Sequence, residues 1–301
     1  MYLSIDIGGT YIKYAILSKN MDIIEKWQKP TKRCASAELF YDYICQDIDT
    51  NQVIGVGVST PGIIAEDSRV LSKAADSICV MYGTNVNKEI TARLNLPVST
   101  LNDARAAGLC EVSIGNGRNS RTSAYWLIGT GIGGALFNGT EVIRGQDNFA
   151  GEFSHLPIGF DGKRLKGMAS QVSIPGLLAI YKRNRGTGQV YTAEQICQDY
   201  LAGERIAKKT VDEWLLNIVK GLNIITIFYN PEIICIGGGI SSEDWFIKEL
   251  QKLYYQEITH AFSELVSTKI ERCKYRNDAN LIGAAISIAS CISEDMSLDS
   301  K

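Results

Sequence analysis

Along the first hundred positions, short apolar runs alternate with stretches of helical spacing. Tyr2–Ile7 is a continuous apolar run, Tyr11–Leu17 a second β-rich run and 21–28 a third, with Ser18-Lys19-Asn20 as a hairpin turn. Residues 37–48 space their apolar side chains as a helix does; 53–58 reads as a short buried strand. An amphipathic helix at 86–94, a strand at 97–101 and a helix at 104–114 follow. Glycine and asparagine then cluster at 115–119, the best linker in the chain.

Beyond that linker the opening plan recurs: an apolar strand at 123–128, a glycine turn at 129–134 and a strand at 135–138. Residues 141–170 lack periodicity and read as loop, with a polar stretch at 160–166. Helices at 193–201 and 204–228, a strand at 233–236, a turn at 237–239, a helix at 243–254, a strand at 268–272 and a last helix at 278–292 complete the pattern. A strand–glycine turn–strand unit in each half predicts an internally duplicated α/β protein, with lobes at 1–115 and 116–277 and a sheet in each.

Composition narrows the class. Hydrophobic residues make up 45% and charged residues 21%, ordinary for a globular chain of about two domains. The formal charge of −2, without a basic block, argues against nucleic acid as a partner. No apolar run approaches the ~18 residues that span a bilayer, and MYLSIDIGGT lacks the basic region of a signal peptide, so a soluble cytoplasmic protein is expected. The eight cysteines have no metal-knuckle spacing and read as reduced core thiols.

The candidate chemistry lies at strand ends. In Asp6-Ile7-Gly8-Gly9-Thr10, two glycines let backbone N–H groups approach a phosphate, Thr10 adds a hydroxyl and Asp6 can orient Mg²⁺. The same residues also suit a plain hairpin turn. GTGIGG at 129–134 has the same character, with Thr130, Gly131, Gly133 and Gly134 as hydroxyl and open backbone; GGG at 237–239 follows a strand and precedes a helix. Three such turns favour a nucleotide cleft between two domains. Asp103, where a strand gives way to a helix, is either an N-cap or the carboxylate that takes a proton from an attacking hydroxyl, and Asn102 beside it suits a sugar hydroxyl. Glu152 can accept two hydroxyl hydrogen bonds and His155 a further one, though a lone histidine is commonly structural; His260, in a polar helical stretch, reads as solvated.

DIGGT at 6–10, VSTPG at 58–62, LNDA at 101–104, GTGIGG at 129–134, AGEFSH at 150–155 and IGGGI at 236–240 follow the order found in the ROK family of repressors, open reading frames and kinases. The resemblance runs from residue 2 to about 290. It implies an actin-like (ribonuclease H-like) fold: two duplicated α/β lobes, ATP and sugar in the inter-lobe cleft, and the helix at 278–292 packed back on the first lobe. It makes Asp103 the general base and Asn102, Glu152 and His155 sugar ligands, with Pro61-Gly62 shaping the sugar pocket. Gly8, Gly9, Thr10, Thr130, Gly131 and Gly133 would hold phosphates, Gly238 and Gly239 would flank the adenosine, Asp6 would assist Mg²⁺, and Lys13 either reaches phosphate or stays solvated. The family's cysteine-rich zinc loop is replaced by HLPIGFDGKRLKGMASQ, so no zinc site is predicted, and the sugar-binding Glu that ordinarily follows it is replaced around Met168-Ala169-Ser170.

This resembles the branch with β-glucoside kinases and N-acetylmannosamine kinases. An ATP-dependent kinase acting on a hexose, N-acetylhexosamine or β-glucoside, at the 6-OH, is the leading expectation, with β-glucosides ahead of N-acetylmannosamine. Domain closure on sugar and a homodimer are also expected. The alternatives are a sugar-responsive transcriptional regulator, which in this family carries a helix-turn-helix before the DIGGT-like strand, and a sugar-binding protein without catalysis.

Overall fold

The computed structural model describes residues 1–186, 190–257 and 264–298; the helical reading at His260 falls outside them. β1 (Tyr2–Ile7), β2 (Tyr11–Leu17) and β3 (Ile23–Pro30) form an antiparallel meander. After α1 (Ala37–Cys45), β4 (Gly55–Thr60) pairs parallel with β1, and after α2 (Val86–Leu94), β5 (Val98–Asn102) pairs parallel with β4. The sheet order is β3-β2-β1-β4-β5. β1 and β4 are buried along their whole length, whereas β3 at the edge is largely exposed. That difference explains why the central strands read as unbroken apolar runs.

α3 (Asp103–Ile114) leads to β6 (Thr122–Ile128), β7 (Ile132–Asn138) and β8 (Glu141–Val142). The region expected as loop contains a two-stranded hairpin, β9 (Pro157–Asp161) and β10 (Arg164–Gly167), followed by a short helix α4 (Ala169–Val172). Phe160 and Leu165 pair across the hairpin but stand exposed, and Ile158 is only partly buried against the core, so the buried face is too short to impose an apolar alternation on the sequence. Next comes α5 (Ile174–Arg185), a helix that is not among the predicted elements. Ser173 caps it and a proline occupies its first turn, a helix-start signal masked by the glycine beside it.

α6 (Ala193–Leu201), α7 (Arg205–Tyr229), β11 (Ile233–Gly237), α8 (Asp244–Glu257), β12 (Lys269–Arg272) and α9 (Ala279–Leu298) complete the chain. The second sheet runs β12-β11-β6-β7-β8. With β6 matched to β1, β7 to β2, β8 to β3, β11 to β4 and β12 to β5, the two orders are the same.

The chain divides into two compact units, Met1–Gly115 with Val142–Ala150 and Asn277–Lys301, and Asn116–Glu141 with Gly151–Arg276. The first unit therefore reclaims 142–150 from the middle of the second. Within it, α9 lies against β4 and α3. A β-carbon on Gly57 would overlap the Ala284 carbonyl, and one on Gly283 the Ala106 carbonyl, so both positions are glycine because backbones touch there. In the second unit Trp126, Phe153, Met168 and Trp214 anchor the core, and Trp214 donates its indole N–H to the Val172 carbonyl at 3.0 Å.

No helix among the described residues is long and apolar enough to cross a membrane. None of the eight cysteines is in a disulfide. Cys110, Cys197, Cys235 and Cys273 are buried, but Cys79 and Cys291 are exposed, which corrects the reading of all eight as core thiols.

Candidate functional site

Neighbouring parallel strands bring their carboxyl ends to one edge of a sheet, where α/β proteins place ligands. In the first unit β1, β4 and β5 do this in sequence, with Asp6 opposite Ser59 and Thr60 opposite Asn102. The turn Gly8-Gly9-Thr10, the dipeptide Pro61-Gly62 and the dipeptide Asn102-Asp103 thus leave the sheet at the same edge.

The cap of α3 is Asn102. Its Oδ1 accepts from the amides of Ala104 at 3.0 Å and Arg105 at 3.3 Å, and its Nδ2 donates to the Gly62 carbonyl at 2.9 Å. The residue expected as a sugar ligand therefore spends its oxygen on the helix and one N–H on the neighbouring loop. Asp103, offered by its sequence position as a possible cap, is instead the first helical residue. It is half-buried, and its Oδ1 accepts from the Ala104 amide at 2.8 Å. A carboxylate in the first turn also sits favourably against the helix dipole.

Two residues further, the guanidinium of Arg105 is buried and donates to the carbonyls of Asn148 at 2.7 Å and Ala150 at 3.5 Å. This contact holds the returning segment 142–150 in the first unit. The sequence reading passed over Arg105, because its partners lie some forty residues away.

Asp6 is 6% exposed at the end of β1. Its Oδ1 accepts from Ser59 Oγ at 2.8 Å and Asn280 Nδ2 at 3.2 Å, and its Oδ2 faces Lys13 Nζ at 3.4 Å. Lys13 also lines an open groove of about 470 Å³ with Lys26, Trp27, Gln28, Asn277 and Asp278. The adjacent turn is braced from behind. Gly8 donates its N–H to the Tyr11 carbonyl at 3.0 Å, while Thr31 Oγ1 donates to the Gly8 carbonyl and Ser77 Oγ to the Gly9 carbonyl, both at 2.6 Å. The Thr10 carbonyl accepts the Thr31 amide at 2.9 Å. With its carbonyls engaged and Gly9 and Thr10 exposed, the turn offers backbone donors to an oxyanion.

In the second unit β6 and β11 are parallel neighbours, so Gly129-Thr130-Gly131 and Gly238-Gly239 share an edge. Thr130 and Gly131 are exposed at the hairpin tip, where the Gly129 N–H bonds the Gly131 carbonyl at 3.0 Å. Gly133 belongs to the β7 ladder, opposite Leu127, and not to the turn. Gly134 is packed against Gly151 and Phe153, which corrects its reading as open backbone.

Gly238 has φ +91°, and a β-carbon there would overlap the Ile128 carbonyl; Gly239 has open space around it. A 3₁₀ turn, Gly239–Ser242, separates this point from α8, which starts at Asp244, one residue from the expected start. Glu152 and His155 flank one 3₁₀ turn, Phe153–His155, held by burial of Phe153 against Trp126. Glu152 is half-buried and His155 exposed. Met168 is buried in the core and Ser170 Oγ donates to the Gly167 carbonyl.

No group of three or more His, Cys, Asp or Glu side chains among the described residues is arranged to hold a metal ion. A single carboxylate beside a phosphate-type turn does fit Mg²⁺, which keeps several waters and is held by one or two carboxylates together with substrate phosphates. Asp6, with Oδ2 as its less engaged oxygen, has the chemistry for that role.

Two α/β units of the same strand order, each with a glycine turn after its first strand, define an actin-like fold. The chain belongs to the ROK family, whose model matches residues 2–290. It is 28% identical over 283 residues to a β-glucoside kinase of Listeria monocytogenes, covering 93% of this chain and 94% of that one. A ROK family protein of Streptococcus pneumoniae, solved in complex with sucrose, superposes with a TM-score of 0.85 at 26% identity, over 98% of this chain and 99% of that one. A ROK family glucokinase of Streptomyces griseus, solved with glucose and AMPPNP, superposes with a TM-score of 0.80 at 22% identity, over 96% and 99%, a likeness of fold.

Proposed function

We propose that this protein is an ATP-dependent sugar kinase that transfers the γ-phosphoryl group to the 6-OH of a hexose-type sugar, with β-glucosides as the first class to test. The observation that carries the reading is the placement of Asp103. It follows β5 at the same end of the sheet as the Gly62 loop after β4 and, one strand further, the Gly8–Thr10 turn after β1, while Asn102 caps the helix. Kinship with a β-glucoside kinase supports the substrate class.

In this reading the Asp103 carboxylate accepts the proton of the sugar hydroxyl as its oxygen bonds the γ-phosphorus. The bond from that phosphorus to the β–γ bridging oxygen breaks, and ADP leaves with the electron pair. The amides of Gly9 and Thr10, with Thr130, Gly131 and Lys13, hold phosphate oxygens, and Gly238-Gly239 flank the nucleoside. Glu152 and His155 accept from or donate to sugar hydroxyls. Asn102 acts mainly by fixing Gly62 and the start of α3, which shapes the Pro61-Gly62 wall. Asp6 would hold Mg²⁺ through Oδ2 or a bound water, and the ion would neutralise charge on the phosphates.

The test is ADP release under ATP with a panel of β-glucosides, glucose and N-acetylhexosamines. Sugar-dependent release is expected, falling by about 10²–10⁴-fold in Asp103→Asn while the fold is retained. An Asp103→Asn protein that turns over normally defeats the assignment, and sequence-specific DNA retention without sugar-dependent turnover favours a regulator.

A further inference from the structure

We propose that Asn280, on the last helix of the chain, is a positioning residue for Asp6 and thereby sets how strongly Mg²⁺ enhances nucleotide binding. The inference rests on the kinase reading and extends it to a residue 274 positions from the carboxylate it serves.

Asp6 receives three donors, and they differ in kind. Ser59 comes from the adjacent strand in direct register, so its bond to Oδ1 at 2.8 Å is fixed by the sheet. Asn280 reaches the same oxygen at 3.2 Å from the first turn of α9. Lys13 faces the other oxygen at 3.4 Å, and its side chain is 39% exposed. Two neutral donors on Oδ1 fix the rotation of the carboxylate about its Cβ–Cγ bond. Oδ2 is left toward Lys13, whose side chain lines the groove. An ion carrying waters and phosphates can be met only by the oxygen that other groups leave available.

α9 is seated precisely enough to do this. Gly57 and Gly283 let its backbone touch β4 and α3, and Ser4 Oγ donates to the Leu281 carbonyl at 2.6 Å, one residue beyond Asn280. Ser287 is tied to Ser99 at 2.6 Å two turns further along. The amide of Asn280 therefore arrives on a rigid support. With Asn280 truncated, Ser59 alone holds Oδ1, and the carboxylate can turn to pair more closely with Lys13. Both the anion for Mg²⁺ and the cation for phosphate are then diverted into each other.

The experiment measures calorimetric affinity for ADP with and without Mg²⁺ in the full chain, alongside sugar-dependent turnover. Asn280→Ala is expected to lose about tenfold of the Mg²⁺-dependent gain, the scale of one hydrogen bond to a charged group, with a smaller fall in metal-free ADP affinity from the diverted Lys13 and sugar KM unchanged. Asn280→Asp, equal in shape but with an anion in place of the donor, should lose more and serves if the alanine variant folds poorly. Ser287→Ala, which loosens the same helix away from Asp6, should leave the gain intact. An unchanged gain in both Asn280 variants, or an equal loss in Ser287→Ala, overturns the proposal while the kinase reading stands. Absence of sugar-dependent turnover in the wild type overturns that reading, and this proposal with it.

Discussion

The side-chain amide of Asn102 donates to the Gly62 carbonyl across 2.9 Å while its oxygen caps the helix that starts at Asp103. One side chain thus joins the end of β5 to the loop after β4. It also relieves Asp103 of the commonest duty of an aspartate at a helix start.

Asn102→Ala should cost about 1–2 kcal/mol for the lost cap, with a further loss from the orphaned Gly62 carbonyl. Asn102→Asp keeps the capping oxygen and loses only the donor, so it should be the milder of the two. Urea midpoints of the three proteins check the order; equal losses would mean the Gly62 bond contributes most of the effect.

The two glycines after β11 should behave oppositely. Gly238→Ala forces a β-carbon into the Ile128 carbonyl at φ +91° and should cost about 3 kcal/mol or more. Gly239→Ala meets open space and should leave melting nearly unchanged while weakening nucleotide affinity. Paired thermal melts and ADP titrations read both effects.

Gly283→Ala should destabilise by about 1–3 kcal/mol, because the obstacle is the Ala106 backbone and not a movable side chain. A lowered melting temperature with no shift in sugar KM near the midpoint of stability is the expected pattern.

Burial pushes the thiols of Cys45 and Cys197 up to about 11 from an ordinary value of 9.0. The folded protein then holds protons that the unfolded chain releases, so their contribution to stability is complete below pH 9.0 and disappears as pH rises through about 11. Unfolding free energy should decline over that window, less steeply in Cys45→Ala/Cys197→Ala. At neutral pH a thiol reagent should modify exposed Cys79 and Cys291 first and reach buried Cys197 only on unfolding.

Much of the fold was legible from residue order. β1, β2, β4 and β6 are buried runs bounded by glycine turns, and α2 and α6 show their helical period directly. The hairpin β9–β10 was not legible, since Phe160 and Leu165 are exposed and Ile158 alone on β9 packs on the core, too little to print a period of two. Some of the residues proposed for the site were legible for a related reason. Gly238 and Asp103 sit at strand ends, and strand ends are visible in the pattern.

The sequence by itself determined the strand–turn–strand repeat, the glycine turns and the family, because buried strands and positive-φ turns restrict residue type locally. Only the tertiary structure decided that Asn102 and not Asp103 caps α3, that Arg105 is buried on the carbonyls of 148–150, and that Asn280 reaches Asp6. Hydrogen bonds between residues 40 to 274 positions apart depend on how strands and helices are stacked, and no local preference records that stacking.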